Sequence, residues 1–241
     1  MEIRLDKFLS DQKNLPRKDC RKLVWSGAVT VDGEIERGID RKVDPEKNII
    51  ALKGEEISYK KFVYIMLNKP KGVLSAATDK KRETVVDLVP EGLRRKNLFP
   101  VGRLDKDTTG LLIITDDGDF AHEIISPKSG ISKRYSVLLD GELPKDAEKR
   151  FKDGIVLADG TECLPASLFP SSDNPCLCEV EIFEGKYHQI KRMFGVLDLG
   201  VVELKRLSIG GLVLPENLPE GDCLELNSTD LGKIHKKHKK N

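Results

Sequence analysis

The chain has 241 residues, 39% hydrophobic and 34% charged, with 41 basic against 40 acidic side chains for a net charge of +1. That is enough apolar sequence for one large core, or a large domain plus a small one, and too much for a disordered chain. The longest apolar run, FVYIML, is far shorter than the roughly 18 residues of a membrane span, and the charged start MEIRLDKFLSDQ is unlike a secretory leader, so a cytoplasmic protein with no membrane partner is expected.

In chain order, Ile3, Leu5, Phe8 and Leu9 fit one face of a short helix. A second helix opens near Pro16, a residue tolerated in a first turn, and stops at Gly27. Cys20, Leu23 and Val24 make its inner face, and Arg17, Lys18, Arg21 and Lys22 cover much of the rest. AVTVDG and NIIAL read as strands, and the polar, aperiodic residues 53–61 as a linker. These features place a small domain at 1–58 and a larger one at 59–232. In the second, FVYIMLNKPKG, LFPVGRLDKDTTGLLIITDDG, KRYSVLLDG, CLCEVEIF and VVELKRLSIGG read as strands, with helices at 119–125, 144–152 and 186–194. Strands not regularly separated by long helices predict an α+β fold, a mainly antiparallel mixed sheet flanked by helices. The lysine-rich residues 233–241 read as a short disordered tail able to touch RNA nonspecifically.

The five cysteines, Cys20, Cys163, Cys176, Cys178 and Cys223, never form C-x-x-C, so reduced thiols are expected, with Cys176 and Cys178 packing on one strand face. Charge is segregated: residues 212–232 carry only acids, whereas Lys186, Lys191, Arg192, Lys205 and Arg206 crowd a stretch whose only acids are Asp198 and Glu203. No dinucleotide fingerprint, P-loop, nucleophile elbow or H-E-x-x-H is present, and two of the four histidines lie in the tail. No metal site and no cofactor are therefore expected. What stands out is Asp105, with Arg103 before it and Thr108-Thr109-Gly110 after it. For Asp107, Asp116 and Asp117 the simpler expectation is a turn or a helix cap.

Two resemblances follow from these segments. RLDKFL with PRKDCRKLVWSGAVTVDG resembles the S4 RNA-binding module, a small αL-type domain in which a helix pair presents basic side chains to structured RNA. It departs at Pro16, where that family usually has a small capping residue. The resemblance implies RNA contacts by Arg4, Lys7, Arg17, Lys18, Arg21 and Lys22. GRLDKDTTGLLIITDDG closely resembles the active-site signature of pseudouridine synthases of the RsuA kind, whose single catalytic aspartate matches Asp105. MLNKPKGV, KRYSV and EGKYHQIKRMF leading into VVELKRLSIGG agree with that family in order and spacing.

By that resemblance the chain is an rRNA isomerase with no cofactor, a monomer acting on structured rRNA, free or in an assembly particle. Tyr135 matches the tyrosine that stacks on the target base, and Leu204 an apolar pocket residue. Lys191 matches a position that carries arginine in many relatives, and is the expected partner of Asp105, with Arg192 as the less favoured one. Arg103 enters the space of a flipped uridine or grips its phosphate. The small-subunit type of the basic segment favours 16S rRNA, with 23S rRNA as the alternative. Two other readings compete: a noncatalytic S4-type ribosome-associated factor, and a glycosidase, which needs a second carboxylate. Three routes through Asp105 stay open: attack at C1′, stabilisation of an oxocarbenium-like sugar, or loss of the 2′ proton to a glycal.

Overall fold

The segment RLDKFL does not form one helix from Ile3 onward. In the computed structural model, which describes residues 2–236, Ile3–Arg4 is a strand (β1) and the helix α1 runs Leu5–Lys13. Ile3 is drawn into the extended state by pairing with Val43, a ladder that outweighs helical propensity. After α1 come α2 (Arg17–Trp25), β2 (Val29–Val31), β3 (Glu34–Ile35), β4 (Lys42–Val43), β5 (Ile50–Leu52) and β6 (Glu55–Glu56). Pro16 caps α2, and its carbonyl accepts from the amides of Asp19 and Cys20. The strands form a sheet in the order β3-β2-β5-β6, with β1 and β4 as a separate pair. Leu5, Phe8, Leu9, Cys20, Val24 and Ile50 are the centre of a small core.

This small unit comprises Met1–Val63 together with Glu91–Leu98. The expected linker at 53–61 therefore belongs to it, and a cut after residue 58 falls inside it. Polar neighbours hide the reason in the sequence: Ile57 is buried in the small core, and the Tyr59 ring lies 6.2 Å from that of Phe8. The Lys60 amide donates to Gln12 Oε1 at 3.0 Å. Arg95 donates to the Lys60 carbonyl at 2.9 Å, and Lys96 donates to the Ser10 hydroxyl.

The α1–α2 face carries an acid that the sequence pattern conceals. Asp6 is fully buried, and Arg4 Nε (3.1 Å), Arg17 Nη2 (2.8 Å) and Arg21 Nε (3.0 Å) all converge on its carboxylate. Burial opposes its charge, but the three guanidiniums overcome that cost and hold its carboxyl far below the usual range. Each arginine remains partly exposed, so three cations are fixed side by side at the surface. Lys22 pairs with Asp19, whereas Lys7 and Lys18 are exposed and make no ion pair among the described residues.

The large unit comprises Tyr64–Pro90 and Phe99–Asn241. Its elements are β7 (Tyr64–Lys69), β8 (Phe99–Pro100), β9 (Thr109–Thr115), α3 (Gly118–Ile125), β10 (Lys133–Leu139), α4 (Ala147–Asp153), β11 (Ser167–Pro170), β12 (Leu177–Ile182), α5 (Gln189–Gly195), β13 (Val201–Ile209), β14 (Leu212–Val213), β15 (Cys223–Glu225) and α6 (Ser228–Ile234). The nine-stranded sheet runs β11-β12-β10-β13-β9-β7-β15, with β8 on β9 and β14 on β13, and only the β9–β13 pair is parallel. This is the mainly antiparallel α+β arrangement expected. TGLLIIT of β9 is buried at every residue, as a central strand covered on both faces must be.

Three expectations need correction. Helix α5 starts at Gln189, not 186, because His188 is left-handed with φ 47°. Cys176 precedes β12 and does not alternate with Cys178, which alone is buried on the strand. The supposed tail begins inside α6, which the Asn227–Asp230 capping box starts and the buried Ile234 anchors; Gly210 packs so closely on the Ile234 carbonyl that no Cβ fits. Residues 237–241 of that tail, including His238, lie outside the described residues.

Replacing Asp6 by Asn leaves the three arginines clustered around a neutral group. Asp6→Asn is expected to destabilise the small unit by about 2–3 kcal/mol, read as lost amide-exchange protection over residues 5–57. Because the folded Asp6 pKa is depressed, its contribution is present above the unfolded value of about 4 and is lost as pH falls below it. Protection of the wild type should decline there more steeply than that of the variant; equal protection at pH 7 would contradict the assignment.

Candidate active site

The loop 103–108 is held from beneath by the segment that ends β7. Lys69 is fully buried, and its ammonium donates to the carbonyls of Pro70 (3.0 Å), Thr108 (3.0 Å) and Lys106 (3.4 Å). Burial lowers its pKa to about 8, against the pull of Asp107, Asp105 and Glu220. The Gly72 amide donates to the Lys106 carbonyl at 2.8 Å, and the Ser75 hydroxyl donates to the Leu104 carbonyl (2.8 Å) while accepting from the Leu104 amide (3.1 Å). MLNKPKGV thus accompanies GRLDKDTTG for a mechanical reason: its backbone and side chains set the loop's shape. Leu104 is buried as the loop's anchor, leaving Arg103 exposed and Asp105 partly exposed.

At the other end of the loop, Gly110 has φ +99°, and a Cβ there would overlap the Arg206 carbonyl and sit 2.7 Å from its amide. The parallel contact of β9 with β13 therefore requires glycine. It brings Arg206 against β9, where its Nε donates to the Leu111 carbonyl at 2.6 Å.

Asp105 stands where two lobes of one cavity meet, lobes that also share Arg103, Tyr135, Lys186 and His188. One lobe is closed by Thr108, Ile182, Gln189, Ile190 and Leu204, the other by Ile124, Ile125, Pro127, Lys133, Arg206 and Ile209. Tyr135 and Leu204, both buried, come from the paired strands β10 and β13. The structure thus gathers Arg103, Asp105, Tyr135 and Leu204 at one cavity.

The basic partners differ from expectation. Lys191 is bound to Asp107 at 2.6 Å and reaches Asp105 Oδ2 only at 4.0 Å. Asp107 is therefore no mere turn residue: the Lys191 hydrogen bond holds its carboxyl below the usual range. Arg192 turns away to Asp159 at 2.5 Å and toward the Tyr187 carbonyl, so it is not brought to Asp105. The nearest basic side chain is instead His188, whose Nε2 lies 3.4 Å from Asp105 Oδ1 and whose ring stacks on Tyr187. Asp117 does cap α3, accepting from the Phe120 amide, and also accepts from the Tyr64 hydroxyl at 2.7 Å.

The segment before α5 is set by Glu184. Its carboxylate accepts from the Leu164 amide (2.9 Å), from Gln189 Nε2 (2.8 Å) and from Lys186. Sequence reading did not assign Lys69, Lys133, Glu184 or Arg206 to this site, although they stand in the singled-out segments MLNKPKGV, KRYSV, EGKYHQIKRMF and VVELKRLSIGG. His188, in the same segment as Glu184, was not among the partners expected for Asp105. Among the described residues no group of three or more His, Cys, Asp or Glu side chains is placed to hold a metal ion.

Comparison with known proteins agrees with this geometry. The RNA pseudouridylate synthase family matches residues 63–195, and the S4 domain matches residues 3–49. The chain therefore belongs to the RNA pseudouridylate synthase family, and carries an S4 domain at its N-terminal end. It is 39% identical over 235 residues to the ribosomal small subunit pseudouridine synthase A of Vibrio cholerae, covering 97% of this chain and 100% of that one. The corresponding Escherichia coli enzyme is 35% identical over 233 residues, with 96% and 100% covered. The uncharacterized RNA pseudouridine synthase YtzG of Bacillus subtilis is 38% identical over 231 residues, with 95% and 97% covered. A crystal structure of a pseudouridylate synthase aligns with a TM-score of 0.66 at 33% identity, covering 96% of this chain and 99% of that one.

Gly110→Ala tests the close approach behind the site. It is expected to lower the urea-unfolding stability of the large unit by roughly 2–4 kcal/mol, because the strain at positive φ adds to a backbone clash. Wild-type stability in this variant would show that β9 and β13 are not in this contact.

Proposed function

We propose that this enzyme converts a uridine of small-subunit 16S rRNA to pseudouridine, with Asp105 as the reacting carboxylate. The observation that carries the chemistry is that Asp105 alone among carboxylates lines both lobes of the cavity. Glu184, the other carboxylate in the lining, is already engaged by Leu164, Gln189 and Lys186. Glycoside hydrolysis requires two carboxylates and a water. Isomerisation keeps the base: the bond from C1′ to N1 breaks, the base turns, and C1′ bonds to C5, so one carboxylate suffices.

In this reading Tyr135 stacks on the base and Leu204 closes the apolar wall. Arg103, exposed and without an ion pair among the described residues, grips a phosphate or fills the vacated stack. Lys191 acts through Asp107, which fixes its ammonium 4.0 Å from Asp105 and so keeps positive potential beside the reacting carboxylate. The arginines arrayed on Asp6, with Lys7, Lys18 and Lys22, form the RNA-facing surface of the S4 unit. The small-subunit substrate is supported by the two synthase A relatives aligned over nearly their whole length.

Asp105→Asn is nearly isosteric and removes the charge. It is expected to abolish pseudouridine formation while RNA affinity changes by less than about tenfold. The assay offers 16S and 23S rRNA in separate reactions and maps the product. A single modified position in 16S is expected. Multiple turnover by Asp105→Asn would remove the aspartate's role, and single-site modification of 23S alone would overturn the substrate assignment.

A further inference from the structure

The sheet face that carries Tyr135 also carries two buried cations without a counterion. Lys133 lies two residues before Tyr135 on β10, and Arg206 is the register partner of Tyr135 on β13. They are 8% and 4% exposed, and both line the lobe that opens at Asp105. The Lys133 ammonium donates to the carbonyls of Ile131 (2.8 Å) and Ile124 (3.1 Å), leaving a third N–H unused. Arg206 uses Nε on Leu111, and its Nη2 is buried with no partner. Neither cation makes an ion pair among the described residues. Burial first, and then the charge of Arg206, lower the Lys133 pKa to about 8, with no acid opposing them, in contrast to Lys69.

Two like charges buried together carry a desolvation cost that three backbone hydrogen bonds repay only in part and no acid among the described residues offsets. An anion entering the lobe would repay it. The isomerisation makes one there whichever route Asp105 takes, because the electron pair of the C1′–N1 bond leaves with the base. The detached uracil then holds negative charge spread over N1, O2 and O4.

We propose that Lys133 and Arg206 form the seat of the departing uracil, donating to its oxygens and stabilising its negative charge while the base turns from N1 to C5. The bond from C5 to C1′ then forms, the C5 proton leaves to solvent and N1 takes up a proton, so no co-reactant is consumed. Both side chains only donate, so they match O4 of uracil and are mismatched to the N4 amino group of cytosine. The seat rests on the synthase reading above, and deepens it.

The test is single-turnover tritium release from 16S rRNA transcribed with uridine tritiated at C5, using the full chain at saturating concentration. Lys133→Met should slow release by roughly a hundredfold, the loss typical for one preorganised donor at a developing anion, with RNA affinity within about threefold. Lys133→Arg should retain most of the rate. Lys133→Ala should recover with added methylammonium and not with added potassium, a response that loss of the Ile124 and Ile131 contacts alone would not give. Wild-type release by Lys133→Met would overturn the proposal. So would a loss of affinity with an intact rate and a salt slope reduced by about one, the signature of a phosphate contact, or a slow Lys133→Ala that methylammonium leaves unchanged. Asp105→Asn run in parallel separates the two claims: release by that variant sinks the synthase role of Asp105, whereas a dead Asp105→Asn beside a fast Lys133→Met sinks the seat alone.

Discussion

A buried ammonium with no carboxylate partner among the described residues, Lys69, is the constraint on which the site depends. Its three N–H groups are spent on three backbone carbonyls, two of them in the loop that presents Asp105. Such a lysine is costly to bury, and that burial lowers its pKa to about 8. In return the loop takes one shape, with Leu104 turned inward and Asp105 at the junction of the two cavity lobes. The same loop is fixed at its far end by the Gly110 contact with Arg206, so the Asp105 carboxylate is set between two rigid anchors rather than on a free turn.

The chain is electrically almost neutral, yet it concentrates unbalanced positive charge in two places. On the small unit, the buried Asp6 gathers three partly exposed arginines side by side into a fixed array. In the large unit, Lys133 and Arg206 lie buried with no ion-pair partner among the described residues. The first arrangement suits a polyanion that arrives from solvent, the second a small anion produced in the cavity. Net charge, which sums to +1, reports neither.

Much of this was legible in the sequence where local pattern and long motifs agree. The helix α2, the strands β7, β9, β10 and β13, and the loop around Asp105 follow from periodicity and from segments shared with a known family. What failed were pairings between residues far apart in the chain. Lys191 was assigned to Asp105, but it meets Asp107, two residues further along the same loop. Arg192 is taken by Asp159, and the local pattern around Asp6 does not reveal that folding brings Arg17 and Arg21 to it beside Arg4. Lys133 and Lys69 drew no reading of their own, because nothing in a strand pattern tells a buried ammonium from an exposed one. Helix α6 was hidden for the opposite reason: its polar, lysine-rich surroundings mask the one buried contact, Ile234, that holds it.

The proposal that this fold and Asp105 serve one uridine of the small ribosomal subunit is tested by a map of pseudouridines in total rRNA from cells with and without the protein. The expected result is the loss of a single pseudouridine from 16S rRNA, with every position in 23S rRNA unchanged. An identical map in both strains, or a loss confined to 23S rRNA, would contradict it.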